Sequence, residues 1–268
     1  NVYLTDNDVS IIFVICCSCS VLMSILVLYL YLKHKDLRSF PANIFIWRIV
    51  CNLFATGSIL WLHISLLQQA NINNIYCNAT MGFVFQFSLV SSVLWYASLV
   101  FSFYKLVANP FLQPMKLRLL YHSIIWPISL TVAIISIFYN TYRDAFHLCW
   151  SPPDASTTYN WFTTYFWIIG SLVMGIAVLI WTELKVKKPR SKLTLASRKN
   201  TLRRHRIYVF VVLVYWIITG SIFAAIHVKE NLVLVEEEIL VYAFSCLASF
   251  MGFVDGIIFF MTDRQKLK

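Results

Sequence analysis

Apolar residues gather in seven stretches of this chain, and polar residues collect in the gaps between them. The stretches lie at about 9–32, 40–67, 77–104, 118–139, 160–182, 207–228 and 238–262. Each is long enough, as a helix, to cross roughly 30 Å of hydrocarbon. The pattern predicts an all-α membrane protein: one domain, a bundle of seven transmembrane helices. Most connections between the stretches are short. The longest is a third inner loop at 183–206, where Pro189 breaks the preceding helix and Ser191, Thr194, Ser197 and Thr201 are candidate phosphorylation sites.

Charge then orients the bundle. With connections placed alternately on the two sides, nineteen of the 22 Lys and Arg fall on one side. They are Lys33, Lys35 and Arg38; Lys105, Lys116 and Arg118; ten residues between Lys185 and Arg206; and Arg264, Lys266 and Lys268. The other side holds Arg143 and Lys229. Basic residues are retained on the cytoplasmic side, so the N-terminus is expected outside, the C-terminus inside, and the chain in the plasma membrane as a multi-pass protein. A hydrophobic fraction of 59%, a charged fraction of 13% and a mean hydropathy of +0.71 argue against a water-soluble chain of this size. The net charge of +10 is explained by loops beside anionic headgroups, so the lipid bilayer is an expected partner and nucleic acid is not. The chain opens at Asn1 and stops six residues past the last stretch, which suggests that one or both natural ends are missing. The first apolar run is long enough to be a span rather than a cleavable signal.

Cysteine depth separates two groups. Cys16, Cys17, Cys19, Cys51 and Cys246 lie within spans, where a free thiol is an ordinary small apolar group. Cys77, at the outer start of the third span, and Cys149, late in the second outer loop, are expected to form a disulfide that pins the loop over the bundle mouth. Asn78 matches the glycosylation pattern but sits beside that bridge at the membrane surface.

Several short motifs carry a resemblance. The third span contains Gly82-Phe83, Gln86, Ser91-Ser92 and Leu94-Trp95, and ends Phe103-Tyr104. Leu37-Arg38-Ser39-Phe40-Pro41 enters the second span, and Tyr121-His122 with Trp126-Pro127 lies in the fourth. Cys149-Trp150 lies in the outer loop and Gly252-Phe253-Val254-Asp255 in the seventh span. In this order they resemble G-protein-coupled receptors of the cyclic-AMP-receptor-like and secretin-like groups, with frizzled receptors more distant. The resemblance covers most of the chain. The acidic-Arg-aromatic triplet and the Asn-Pro-x-x-Tyr motif of rhodopsin-like receptors are absent, and no lysine in the seventh span offers a retinal Schiff base.

Ionisable groups within lipid are costly and are functional candidates by default. Arg48 and Asp255 both lie roughly 10 to 13 Å deep at 1.5 Å per residue. The second and seventh helices are neighbours in receptors of this shape, so the two are expected to face each other as a charge-assisted pair, with Asn43 and Asn52 as polar company. Two roles suit the pair: a tie between two helices, or a switch whose re-pairing selects between inactive and active bundles. Trp216, with Gly220 one turn on, is a candidate bend in the sixth helix; its bland reading is packing.

Trp61, His63, Gln86, Trp150, Trp161, Tyr165, Trp216 and Tyr242 are candidates to line an outward-opening ligand cavity, although aromatic belts are expected at both interfaces anyway. The outer loops carry eight carboxylates against Arg143 and Lys229, a field that favours a cationic or neutral ligand over an anionic one. The resemblance implies a heterotrimeric G protein as inner partner, and Lys105, Asn109, Pro110, Phe111, Arg203, Arg204 and Arg206 are the expected contacts. The alternative is a seven-helix scaffold, transporter or channel without G-protein coupling, but neither matching broken helices nor paired polar residues along a pathway are evident. The six histidines are scattered, with none at i, i+4 from another, so no metal, cofactor or enzymatic site is expected.

Overall fold

The computed structural model describes residues 6–38, 42–68, 79–109, 117–138, 143–145, 148–150, 161–186, 199–228 and 234–263. Among them the chain forms helices α1 (Asp6–Lys33), α2 (Ala42–Leu67), α3 (Ala79–Ala108), α4 (Arg118–Phe138), α5 (Phe166–Val186), α6 (Lys199–Val228) and α7 (Leu234–Asp263). All seven are long and apolar enough to cross a membrane. A 3-10 turn at Lys35–Arg38 follows α1, and a π-helical turn at Trp161–Tyr165 leads into α5. Successive spans alternate in direction, so α1, α3, α5 and α7 start at one end of the bundle, the amino-terminal end, and finish at the opposite end.

Helix and lipid boundaries do not coincide. α5 continues to Val186, α6 begins at Lys199 and α7 at Leu234, so the segment read as a loop at 183–206 is helical at both ends. Hydropathy marks where hydrocarbon stops, whereas Lys and Arg are good helix formers that carry a helix on into water. At the start of α7, Glu236, Glu237 and Glu238 lie in the first turns. Cys77, the expected start of the third span, lies outside the described residues.

One pair of elements is not helical. β1 (Arg143–Ala145) and β2 (Leu148–Trp150) form an antiparallel ribbon, with Asp144 opposite Cys149 and Arg143 opposite Trp150. Strand pairing satisfies the backbone of a connection too polar and short to span. The ribbon lies at the amino-terminal end, with β2 against α3 and α2.

α3 is the central helix, packed on α2, α4, α5 and α6, while α1 lies against α2 and α7. Its buried face includes Trp95, Leu99 and Phe103, which join Ile44, Phe45, Ile49, Tyr208, Val212 and Phe259 in the larger core. A smaller core nearer the amino-terminal end contains Phe13, Ile59, Phe85 and Phe244. Apolar burial gives helices no advantage over lipid contact, so close packing and interhelical hydrogen bonds hold this bundle. The α1–α7 seam shows both. The Ser20 hydroxyl donates to the Ser249 carbonyl at 2.7 Å and accepts from the Phe253 N–H at 3.0 Å, bridging two groups one turn apart on α7. A Cβ on Gly252 would lie 2.8 Å from Ser24 Oγ, and one on Gly256 would collide with Met23. The Gly252/Gly256 spacing thus serves packing within the bundle.

Candidate functional site

The buried charges meet. Arg48 Nε donates to Asp255 Oδ2 at 2.9 Å, and both side chains are 1% exposed. Their depth made this contact expected, and the packing of α2 on α7 delivers it. Asn52, one turn from Arg48, donates its amide N–H to the same carboxylate oxygen and accepts at Oδ1 from the Ser92 hydroxyl of α3 at 2.7 Å. The Arg48 guanidinium lies over the Tyr96 ring, 5.7 Å from its centroid. The Tyr96 hydroxyl in turn donates to the Val209 carbonyl of α6 at 3.2 Å. One chain of polar contacts therefore joins α2, α7, α3 and α6. The guanidinium is not saturated, since its buried Nη1 has no hydrogen-bond partner. Sequence spacing flagged Arg48, Asp255 and Asn52; Ser92 and Tyr96 were not singled out for this role. Their signal was weak: two polar groups one turn apart on an apolar helix.

The first turns of α6 are held to their neighbours. The His205 ring, fully buried, stacks on Phe103 of α3 with centroids 5.5 Å apart. Tyr208 contacts Phe45 of α2 and accepts at its hydroxyl from Thr262 of α7 at 2.7 Å. Arg206 pairs with Glu183 of α5 at 2.8 Å, both about half exposed. Among the residues expected to meet a G protein, Arg203 is exposed, Arg204 lies in α6, and Asn109 ends α3 with its N–H on the Lys105 carbonyl. Pro110 and Phe111 lie outside the described residues.

The residues proposed to line a ligand cavity are dispersed at the other end. His63 is fully buried between α1 and α2, stacked on Phe13 at 4.2 Å with Nδ1 3.4 Å from Ser10 Oγ. Gln86 is buried and ties α3 to the π-helical turn, donating to the Thr163 carbonyl at 2.9 Å and approaching Thr164 Oγ1 at 3.3 Å. Trp161 and Tyr165 meet edge to face at 5.7 Å within that turn, and Trp161 is exposed. Trp61 is exposed on α2, while Tyr242 and Trp216 are half-buried against the smaller and larger cores. Trp150 belongs to β2. Cys149 is buried and disulfide-bonded; Cys77, assigned as its partner, lies outside the described residues. α6 runs unbroken through Gly220, where an added Cβ would meet nothing within 4 Å.

Residues 6–254 match the family model described as 7 transmembrane receptor (Secretin family). The chain belongs to the secretin family of seven-transmembrane receptors. This secretin-family chain is 22% identical over 206 residues to the Latrophilin receptor-like protein A of Dictyostelium discoideum, an alignment covering 77% of the chain and 61% of that relative. It therefore spans less than two thirds of the relative's length. Its fold is similar to the crystal structure of squid rhodopsin, with a TM-score of 0.68 and 15% identity over 99% of the chain and 85% of the rhodopsin. That likeness concerns the fold alone. Membership makes the chain a multi-pass receptor of the plasma membrane, and its family is one of receptors rather than enzymes.

Proposed function

We propose that this secretin-family chain binds an extracellular ligand at its amino-terminal end and activates a heterotrimeric G protein at the opposite end. The orientation rests on the basic residues gathered at that opposite end. The observation that carries the mechanism is the buried Arg48–Asp255 pair, continued through Asn52, Ser92 and Tyr96 into α3 and α6. An internal network shared by four helices has few arrangements that leave no charge stranded, which makes the bundle bistable rather than continuously deformable. Ligand that favours one arrangement shifts the population, by no more than its differential affinity for the two states. In the closed arrangement His205, Arg206 and Tyr208 hold α6 against α3, α5, α2 and α7. Activation separates these contacts and frees Arg206, beside Arg203 and Arg204, for an acidic surface on the partner.

The ligand is cationic or neutral on the evidence of the acidic outer loops. A decisive experiment measures nucleotide exchange on a panel of G-protein α subunits with the purified chain in lipid. Acceleration above empty membranes, lost on neutralising Arg203, Arg204 and Arg206 together, supports the reading. No acceleration by folded protein across the panel and a broad ligand set sinks it.

A further inference from the structure

The helices that finish at the basic end share a terminal device. Lys33 of α1 lies over Tyr29, Lys105 of α3 over Phe101, and Lys185 of α5 over Trp181, with Nζ to ring-centroid distances of 5.6, 5.2 and 4.8 Å. Each aromatic residue precedes its lysine by four positions. In the fourth such helix, α7, Phe260 precedes Arg264 in sequence by the same spacing, but Arg264 lies outside the described residues.

Geometry gives the repetition a consequence. Side chains on a helix lean toward its N-terminus. At the finishing end of a span that lean points back toward hydrocarbon, and the ring one turn behind holds the ammonium there by a cation–π contact. The nitrogen then sits about one helical turn, roughly 5 Å, nearer the membrane than an extended lysine reaching into water. Tyr29 and Phe101 are exposed on apolar helices and so face lipid. Two other described cations at this end are engaged differently: Arg38 donates to the Tyr31 and Leu32 carbonyls at the end of α1, and Arg206 pairs with Glu183. Among the described residues, neither Lys33 nor Lys105 shares an ion pair with a carboxylate. A ring occupies one face of an ammonium and leaves donors for an anion; in Lys185 the ammonium also donates to the Ala108 carbonyl of α3 at 3.4 Å.

We infer that Lys33, Lys105 and Lys185, each braced by its aromatic neighbour, form a set of sites for the phosphates of anionic glycerophospholipids in the leaflet at this end. The depth of the ammonium selects lipid over an acidic protein, whose carboxylates would have to enter the headgroup layer to reach it. The headgroup must carry net negative charge, because choline neutralises its own phosphate. On this reading Lys105, which the sequence made an expected G-protein contact, serves a lipid phosphate.

Electron spin resonance of the chain in phosphatidylcholine bilayers tests this, with trace spin-labelled phosphatidylserine or phosphatidylcholine as probe. The immobilised fraction should favour phosphatidylserine by about two- to five-fold. Replacing all three lysines (K33Q/K105Q/K185Q) should remove most of that preference, whereas K187Q/K188Q/K192Q, with the same charge loss in the following loop, should keep it. Y29L/F101L/W181L, which changes no charge, should at least halve it, and inorganic phosphate at millimolar concentration should not compete. Preference retained by the first variant, lost in the loop variant or unchanged without the rings overturns the inference. Because each sample is scored as a ratio of two probes, a poorly folded variant loses both signals together and is recognised as such.

Discussion

Removing Arg48 or Asp255 singly should damage the protein more than removing both. The two are 2.9 Å apart and each 1% exposed, so either single substitution strands a charge where water cannot reach it. Breaking such a pair from one side costs about 3 to 5 kcal/mol, while replacing both partners with well-packed apolar groups of similar volume is often near neutral, so the Ala double variant is left mainly with the cost of its cavity. The contacts also rank the singles. In Arg48→Ala, Asp255 keeps the Asn52 amide. In Asp255→Ala, a guanidinium that already has one partnerless nitrogen loses its carboxylate. The expected order of loss is therefore Asp255→Ala, then Arg48→Ala, then the double variant, with a coupling of roughly 3 kcal/mol or more in the double-mutant cycle. Unfolding of the purified chain in mixed micelles by a denaturing detergent measures the cycle. Nucleotide exchange on the same samples reports whether the pair also sets basal signalling. A coupling below about 1 kcal/mol, or a double variant as unstable as Asp255→Ala, would refute the reasoning. A large coupling with unchanged exchange would make the pair a tie and not a switch.

Two glycines should behave oppositely in the same assay. Gly252→Ala drives a methyl group against Ser24 Oγ and the Ser20 carbonyl and should destabilise the α1–α7 seam by more than about 1 kcal/mol; Gly220→Ala meets nothing and should be neutral or stabilise by up to about 1 kcal/mol. Gln86→Leu unties α3 from the π-helical turn, and a loss of about 1 to 3 kcal/mol together with weakened ligand binding is expected from equilibrium unfolding and radioligand titration. Glu183→Gln opens a half-exposed pair worth at most about 1 kcal/mol, so its signature should be a basal exchange rate raised no more than about five-fold and insensitive to added salt. Cys149→Ser should lower the melting temperature, and no change after complete alkylation of the variant would show that its bridge bears no load.

Much of this architecture was legible in the chain itself. Seven apolar runs separated by polar gaps specify seven spans because lipid leaves a backbone no partner but its own helix. The same physics makes Arg48 and Asp255 conspicuous, since a charge in hydrocarbon survives only with a reason. Helix ends were read less well, because hydropathy ends with the lipid while α5 and α6 continue through charged residues that favour helix. The ribbon of 143–145 and 148–150 left no hydrophobic signature, its pairing being a matter of backbone groups.

The candidate site divides along the same line. Depth along a helix is a one-dimensional quantity, so sequence placed Arg48 and Asp255 at one level and marked Gln86 as a candidate for the outward-opening cavity. Azimuth is not one-dimensional: which face a residue presents depends on how each helix is rotated and which helix stands beside it. Only the packed bundle turned His63 toward Phe13 and Gln86 toward Thr163, carried the Arg48 contact on through Tyr96 to Val209, and set Gly252 against α1 while leaving Gly220 exposed. Hydrophobicity determines how often a chain crosses the membrane. In lipid, where apolar surface is content on either side, the meeting of particular side chains is decided by shape and hydrogen bonding between helices far apart in sequence.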